Sequence, residues 1–246
     1  MARLFDDASS QYLTVGSAVL TAAPITMACW FNTDDDTVDQ MLMVFARVAS
    51  TTPHRSLRFA GADNTLRFVE RPDAGGNYAA TSTSTISANT WHHCCGISAA
   101  ANDRRVLLDG GNKGTESTNI GALTTDYTDI GGRHTAGIPD YASGCIAEAG
   151  IWNVALTDEE VAILAKGYSP LLVRPQNLVA YWPLIRDTDD DIVGGFSMTP
   201  VNSPTVAAHP RVFYPAGPYM VPMAAAIAAL RIPRHPAAYF GGPTIF

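Results

Sequence analysis

The sequence predicts an all-β fold, a sandwich of two antiparallel sheets with a single short helix. Short runs of alternating apolar and polar residues, separated by turn residues, recur from Leu4 to Leu184. Only one stretch, Thr157 to Gly167, has the pattern and the caps of a helix. No strand–helix unit repeats, which excludes a parallel α/β sheet.

The helix follows directly on a strand. In Gly144–Trp152, Cys145, Ala147, Ala149 and Ile151 alternate with Ile146, Glu148, Gly150 and Trp152, so both faces are at least partly covered. Thr157 and Glu160 form a capping box, each side chain reaching the other's amide. Asp158 and Glu159 place negative charge at the positive end of the helix dipole. Val161, Leu164 and Ala165 form the buried stripe, and Gly167 provides the left-handed stop.

The strands follow in order. Leu4 to Val15 forms a strand pair around Asp6–Ser10. In the next strand Ile25, Met27, Cys29 and Phe31 line one face and Trp30 the other. Met41 to Val48 is a buried strand. Ser56–Phe59 and Leu66–Glu70 make a hairpin, and Ala79–Ile86 is a further strand. Trp91–Ser98 turns at Asn102-Asp103 into Arg105–Leu108, and Asp109-Gly110-Gly111 is a strong turn signal. Segments Ile120–Tyr127 and Thr128–Gly131 come next. The long loop Gly132 to Ser143 implies either a function or a covering neighbour.

Composition narrows the function. The chain is 47% hydrophobic and only 16% charged, with a net charge of −7. A nucleic-acid partner needs a basic face, so none is expected. The start of the chain, Met1 to Asp7, lacks an apolar signal segment, and Met220–Leu230 is too short to span a bilayer. The expectation is a product of the cytoplasm with no membrane partner. Cys29, Cys94, Cys95 and Cys145 all fall in strands and read as small buried hydrophobes.

Four stretches also carry a family resemblance. They are Pro24–Phe31, Thr90–Ile97 with Arg105–Gly110, the run Gly144–Val161, and Leu178–Leu184. Together they resemble the laminin G-like and pentraxin-like modules of the concanavalin A-like superfamily. The resemblance covers roughly residues 1–205 and implies a jelly-roll sandwich. Many functions use this fold, so function must come from the site.

Calcium is the cofactor the resemblance implies, since such modules often hold it in rim loops. The candidate ligands are Asp6, Asp7, Asp34, Asp35, Asp36, Asp140 and the group Asp187-Thr188-Asp189-Asp190-Asp191. The last fails as an EF-hand, with Ile192 in the glycine position and Met198 in the place of the bidentate glutamate. Solvated turn carboxylates are the preferred reading, so no metal site is expected. A glycosidase needs two carboxylates about 5–5.5 or 6.5–9.5 Å apart. The best strand offers Glu148 alone, so no catalytic residue is assigned. His92 and His93 are sequential on a strand and diverge. Loop residues Tyr78, Tyr127, Arg133, His134, Asp140 and Tyr141 are the candidates for binding a glycan.

Beyond about Thr205 the composition changes. Residues 206–246 are rich in Pro, Ala and aromatics, which gives two expected parts: a sandwich, 1–205, and an extended arm, 206–246. Phe213, Tyr214, Tyr219, Tyr239, Phe240 and Phe246 are anchors of the kind enriched at interfaces. They would dock the arm on the chain's own sandwich, an identical subunit or another protein. The resemblance extends to bacteriophage virion proteins. The expected function is therefore a non-enzymatic structural protein of a virion, decorating a capsid or joining a tail or fibre. The alternatives are a free carbohydrate-binding module and, more remotely, a glycoside hydrolase.

Overall fold

A computed structural model describes residues 1–48, 50–73, 75–133, 140–185 and 188–215. Met1–Pro215 form one compact unit. Of the arm anchors, Tyr219, Tyr239, Phe240 and Phe246 lie outside the described residues, as do His134 and Asp187.

Two antiparallel sheets face each other. The first runs β10 (Gly111–Glu116), β9 (Asp103–Leu108), β8 (His92–Ala100), β3 (Ile25–Thr33), β12 (Gly144–Trp152), β1 (Ala2–Phe5) and β15 (Thr205–Ala207). A further strand, β13 (Leu178–Trp182), pairs with the second half of β12, beyond the part that pairs with β1. The second sheet runs β14 (Thr199–Val201), β2 (Tyr12–Val15), β11 (Tyr127–Ile130), β4 (Gln40–Ala46), β5 (His54–Ala60), β6 (Thr65–Arg71) and β7 (Tyr78–Thr85).

Alternation puts the core between the sheets. Ile25, Met27, Cys29 and Phe31 of β3 meet Met43 and Phe45 of β4, Leu57 and Phe59 of β5, and Leu66 and Phe68 of β6. Phe31 and Phe59 touch across the gap with ring centroids 6.2 Å apart. Two glycines record how closely the layers approach. A Cβ on Gly96 would stand 2.2 Å from the Phe68 ring. One on Gly114 would stand 1.8 Å from the Thr81 carbonyl, where edge strands β10 and β7 close one side of the sandwich.

Helix α1 (Asp158–Ala165) lies on the outer face of the first sheet. Its capping box forms as expected, with Glu160 N donating to Thr157 Oγ1 at 3.3 Å and Thr157 N to Glu160 Oε2 at 2.9 Å. Val161 and Leu164 pack with Ile97, Leu107, Trp152 and Tyr181, while Ala165 is only half-buried. Gly167 adopts φ +89°, and a Cβ there would meet the Arg211 carbonyl at 2.7 Å. This glycine both stops the helix and lets the C-terminal segment pass.

Three expectations need correction. Strands β1 and β2 do not pair with each other but belong to different sheets, so the Asp6–Ser10 turn carries the chain from one layer to the other. Strand β10 went unrecognised because Gly111, Asn112, Lys113 and Gly114 carry no apolar alternation; backbone pairing at an edge sufficed to form it. Segment 117–126 is irregular, and only Tyr127–Ile130 of that region is a strand.

The carboxylates near the C-terminal end work structurally. Asp191 accepts from the amides of Tyr181, Val193, Gly194 and Phe196 at 2.8–3.0 Å. Asp189 pairs with Arg3 on the buried end of β1. Replacing Asp191 by Ala removes the acceptor that these amides share. We expect a loss of about 3 kcal/mol in urea unfolding, whereas Asp191→Asn should lose less because one carbonyl oxygen remains.

Candidate functional site

The core positions of β5 and β6 dictate what their other face shows. With Leu57 and Phe59 turned inward, His54, Ser56 and Arg58 point away from the core, as does Arg71 on β6. Cross-strand pairing sets His54 directly opposite Arg71. The connection between β11 and β12 adds Arg133 at one end and Asp140 and Tyr141 at the other. It is tied down where Met41 N donates to the Asp140 carbonyl at 2.7 Å and Ala142 N to that of Gly131 at 2.8 Å.

His54, Arg58, Arg71, Arg133 and Asp140 surround a polar cavity of about 200 Å³, completed by Asp39, Met41 and Asn77. Arg58 donates to Asp39, and its Nη1 lies 3.7 Å from Asp140 Oδ2. Arg133 is 1% exposed. The Nε atoms of Arg58, Arg71 and Arg133 are all buried without a hydrogen-bond partner. His54 Nδ1 stands 3.0 Å from the Thr51 carbonyl and 3.1 Å from Arg133 Nη1. A single ring nitrogen can serve only one of them, because donating to Thr51 leaves no lone pair for Arg133. Burial and the neighbouring Arg133 push the His54 pKa down to about 4. Burial lowers the Arg133 pKa as well, with Arg58 and Arg71 adding to the effect. Asp140 is raised, chiefly by burial.

Four of the glycan candidates thus gather on one face. Arg133 and Asp140 line the cavity. Tyr141 stacks on Tyr12, ring centroids 5.9 Å apart. Tyr127 is fully buried beside Val44 and Ala46 on the same outer face. Tyr78 is elsewhere, over the guanidinium of Arg104 at 5.8 Å. Sequence reasoning missed Asp39, His54, Arg58, Arg71 and Asn77. The available signal was the alternation of polar side chains along β5, whose meaning depends on which neighbour β5 takes.

Other polar clusters pair their charges internally, although Arg55 Nη1 and Arg104 Nε are also buried without a partner. Glu70 joins Arg55 and Arg104 between the sheets. A second depression, of about 250 Å³, has Arg55 and Glu70 in an otherwise mostly small and aliphatic wall, and their charges are spent on each other. His92 donates from Nδ1 to Asp109 at 2.7 Å and accepts the Ser87 amide at Nε2. Glu148, at the β12 bulge with φ +55°, accepts from Tyr181 and Tyr214 hydroxyls, each at 2.5 Å, and lies 3.1 Å from His209 Nε2. Both of its oxygens accept hydrogen bonds. Tyr214 is thereby held on the chain's own sandwich, and Phe213 packs against Tyr168 at 5.7 Å.

The calcium candidates do not converge. Asp6 binds Ser9 and the Ala8 amide, Asp34 binds Ser143, and Asp35 binds Thr37. Asp189 and Asp191 are used as described above. Among the described residues no three His, Cys, Asp or Glu side chains are grouped to hold a metal ion. All four cysteines are free thiols. Among the described residues no helix is long and apolar enough to cross a membrane.

Comparison with known proteins agrees with this architecture. The laminin G family of the concanavalin A-like lectin/glucanases superfamily matches residues 7–162. No curated protein matches the chain. Among solved structures, a Bacteroides ovatus protein assigned to carbohydrate binding aligns with a TM-score of 0.63 at 18% identity, over 83% of this chain and 58% of that one. A heptameric pentraxin from Limulus polyphemus gives 0.53 at 17% identity, covering 67% and 79%. A Ruminococcus gnavus sialidase module, CBM40, bound to α2,3 sialyllactose, gives 0.51 at 13%, covering 59% and 84%. Tailspike protein 2 of an Escherichia coli O157:H7 bacteriophage gives 0.51 at 15%, covering 75% of this chain but 28% of the tailspike.

Two histidines predict an acid-sensitive fold. His54 and His93 are both held near pKa 4, His93 by burial, against the Trp30 ring. A folded pKa below the unfolded value of 6.5 means the unfolded chain takes up the protons first. Stability should therefore be full above pH 6.5 and fall between pH 6.5 and 4, by roughly 3 kcal/mol for each histidine. Chemical denaturation at pH 7 and pH 4.5 checks this, and His93→Phe should remove about half of the drop.

Proposed function

The chain belongs to the concanavalin A-like lectin/glucanases superfamily, and from that premise we propose that it is a non-catalytic glycan-binding module. The binding site is the cavity on the outer face of the second sheet. The observation that carries this is the convergence of Arg58, Arg71 and Asn77 as donors with Asp39 and Asp140 as acceptors around one cavity. Sugar hydroxyls donate and accept at once and need both kinds of partner within one pocket. The neighbouring Tyr12–Tyr141 stack offers an apolar face for a pyranose ring. The resemblance to carbohydrate-binding modules supports the same reading.

Asp39 and Asp140 are a carboxylate pair lining this cavity, of the kind a hydrolase could use. Arg58 sits between them and faces both, so they act as anchored acceptors rather than as an acid and a base. A glycan array followed by calorimetry should find a bound oligosaccharide, and Asp140→Asn should weaken it at least tenfold. Release of reducing ends from that oligosaccharide, abolished in Asp140→Asn, would make the protein an enzyme and end this reading.

A second reading concerns assembly. Phe213 is 54% exposed beside Tyr168 at 43%, close in sequence to the aromatic-rich residues 216–246. This favours an arm that attaches the module to a larger particle, such as a virion, through identical subunits or other structural proteins. A chain ending at Pro215 keeps His209 and Tyr214 on Glu148, so it should fold as before. It should also be missing from purified particles, and normal incorporation would exclude this role.

A further inference from the structure

We infer that the glycan taken by this cavity is acidic, its carboxylate received between Arg71 and Arg133. This rests on the glycan-binding reading above and specifies its ligand class. The cavity holds three guanidinium groups on a protein whose net charge is −7. Its two carboxylates, Asp39 and Asp140, are both drawn to Arg58. Among the described residues, Arg71 and Arg133 have no carboxylate within ion-pairing distance.

Among the described residues the other buried arginines each have a carboxylate partner. Arg3 meets Asp189, and Arg55 and Arg104 share Glu70. A desolvated cation without a counter-charge is costly, and removing one member of such a pair is strongly destabilising. Arg133 is nevertheless 1% exposed and its Nε is unpartnered; among the described residues its side-chain hydrogen bond goes to the contested His54 nitrogen, and Asp140 reaches it only as a charge beyond ion-pairing distance. Arg71 adds a second buried Nε without an acceptor. The planar fork of a guanidinium fits a carboxylate through two parallel hydrogen bonds. A sugar carboxylate would supply the missing acceptor and the missing charge together, while Asp39 and Asp140 take hydroxyls on the other side.

The test compares acidic oligosaccharides, an oligouronate and sialyllactose, with forms whose carboxylate has been reduced to an alcohol, by calorimetry on the unaltered full-length protein. At least one acidic form should bind, and its reduced partner should bind at least tenfold more weakly. Arg71→Gln should weaken binding of the acidic form at least tenfold more than it weakens binding of the reduced one. Equal binding of the two forms would overturn the inference and leave glycan binding standing. Binding of no glycan, acidic or neutral, would overturn both. The reduced-ligand comparison needs no variant, so it decides the question even if Arg71→Gln fails to fold.

Discussion

The two-residue period of β5 and β6 governs both halves of this molecule. Leu57, Phe59, Leu66 and Phe68 must face the other sheet, since the core closes on them so tightly that Gly96 tolerates no side chain against Phe68. The same pleat then has no choice about His54, Arg58 and Arg71. A slip of one residue would exchange the two sets and lose core and cavity together. Core and cavity are thus two sides of one register.

Charge is distributed by a second rule. Where guanidinium groups lie between the sheets or at a strand end, the fold supplies carboxylates: Glu70 for Arg55 and Arg104, Asp189 for Arg3. On the outer face of the second sheet the supply stops short, with two aspartates on Arg58 and, among the described residues, no carboxylate within ion-pairing distance of Arg71 or Arg133. Buried charge left uncompensated in a protein is a common mark of a binding site, because the ligand is the remaining partner. The first sheet shows the contrast. Its outer face is covered by α1, and its one odd residue, Glu148, is consumed by Tyr181, Tyr214 and His209.

Much of the fold was legible in the residues. The capped helix, the apolar face of β3, the hairpin of β5 and β6 and the turn at Asp109-Gly110 are local, and local chemistry specifies them. The failures were non-local. Strand β10 has no apolar pattern, and β1 and β2 look like a hairpin in sequence but are split between layers. The glycan candidates show the same limit. Arg133, Asp140 and Tyr141 share a loop and were found together, while Tyr78 carried the same residue-type signal and went to Arg104.

By itself, the sequence determined the class of fold, the helix and its caps, the faces of the long strands and the absence of a disulfide framework. All of these follow from periods and contacts within about ten residues of chain. Only the tertiary structure decided that Asp39, His54, Arg58, Arg71 and Arg133 surround one cavity, and that Asp191 serves four amides. Sheet order and loop return bring those groups together from distant parts of the chain, and a pairing between strands far apart leaves no mark on either strand alone.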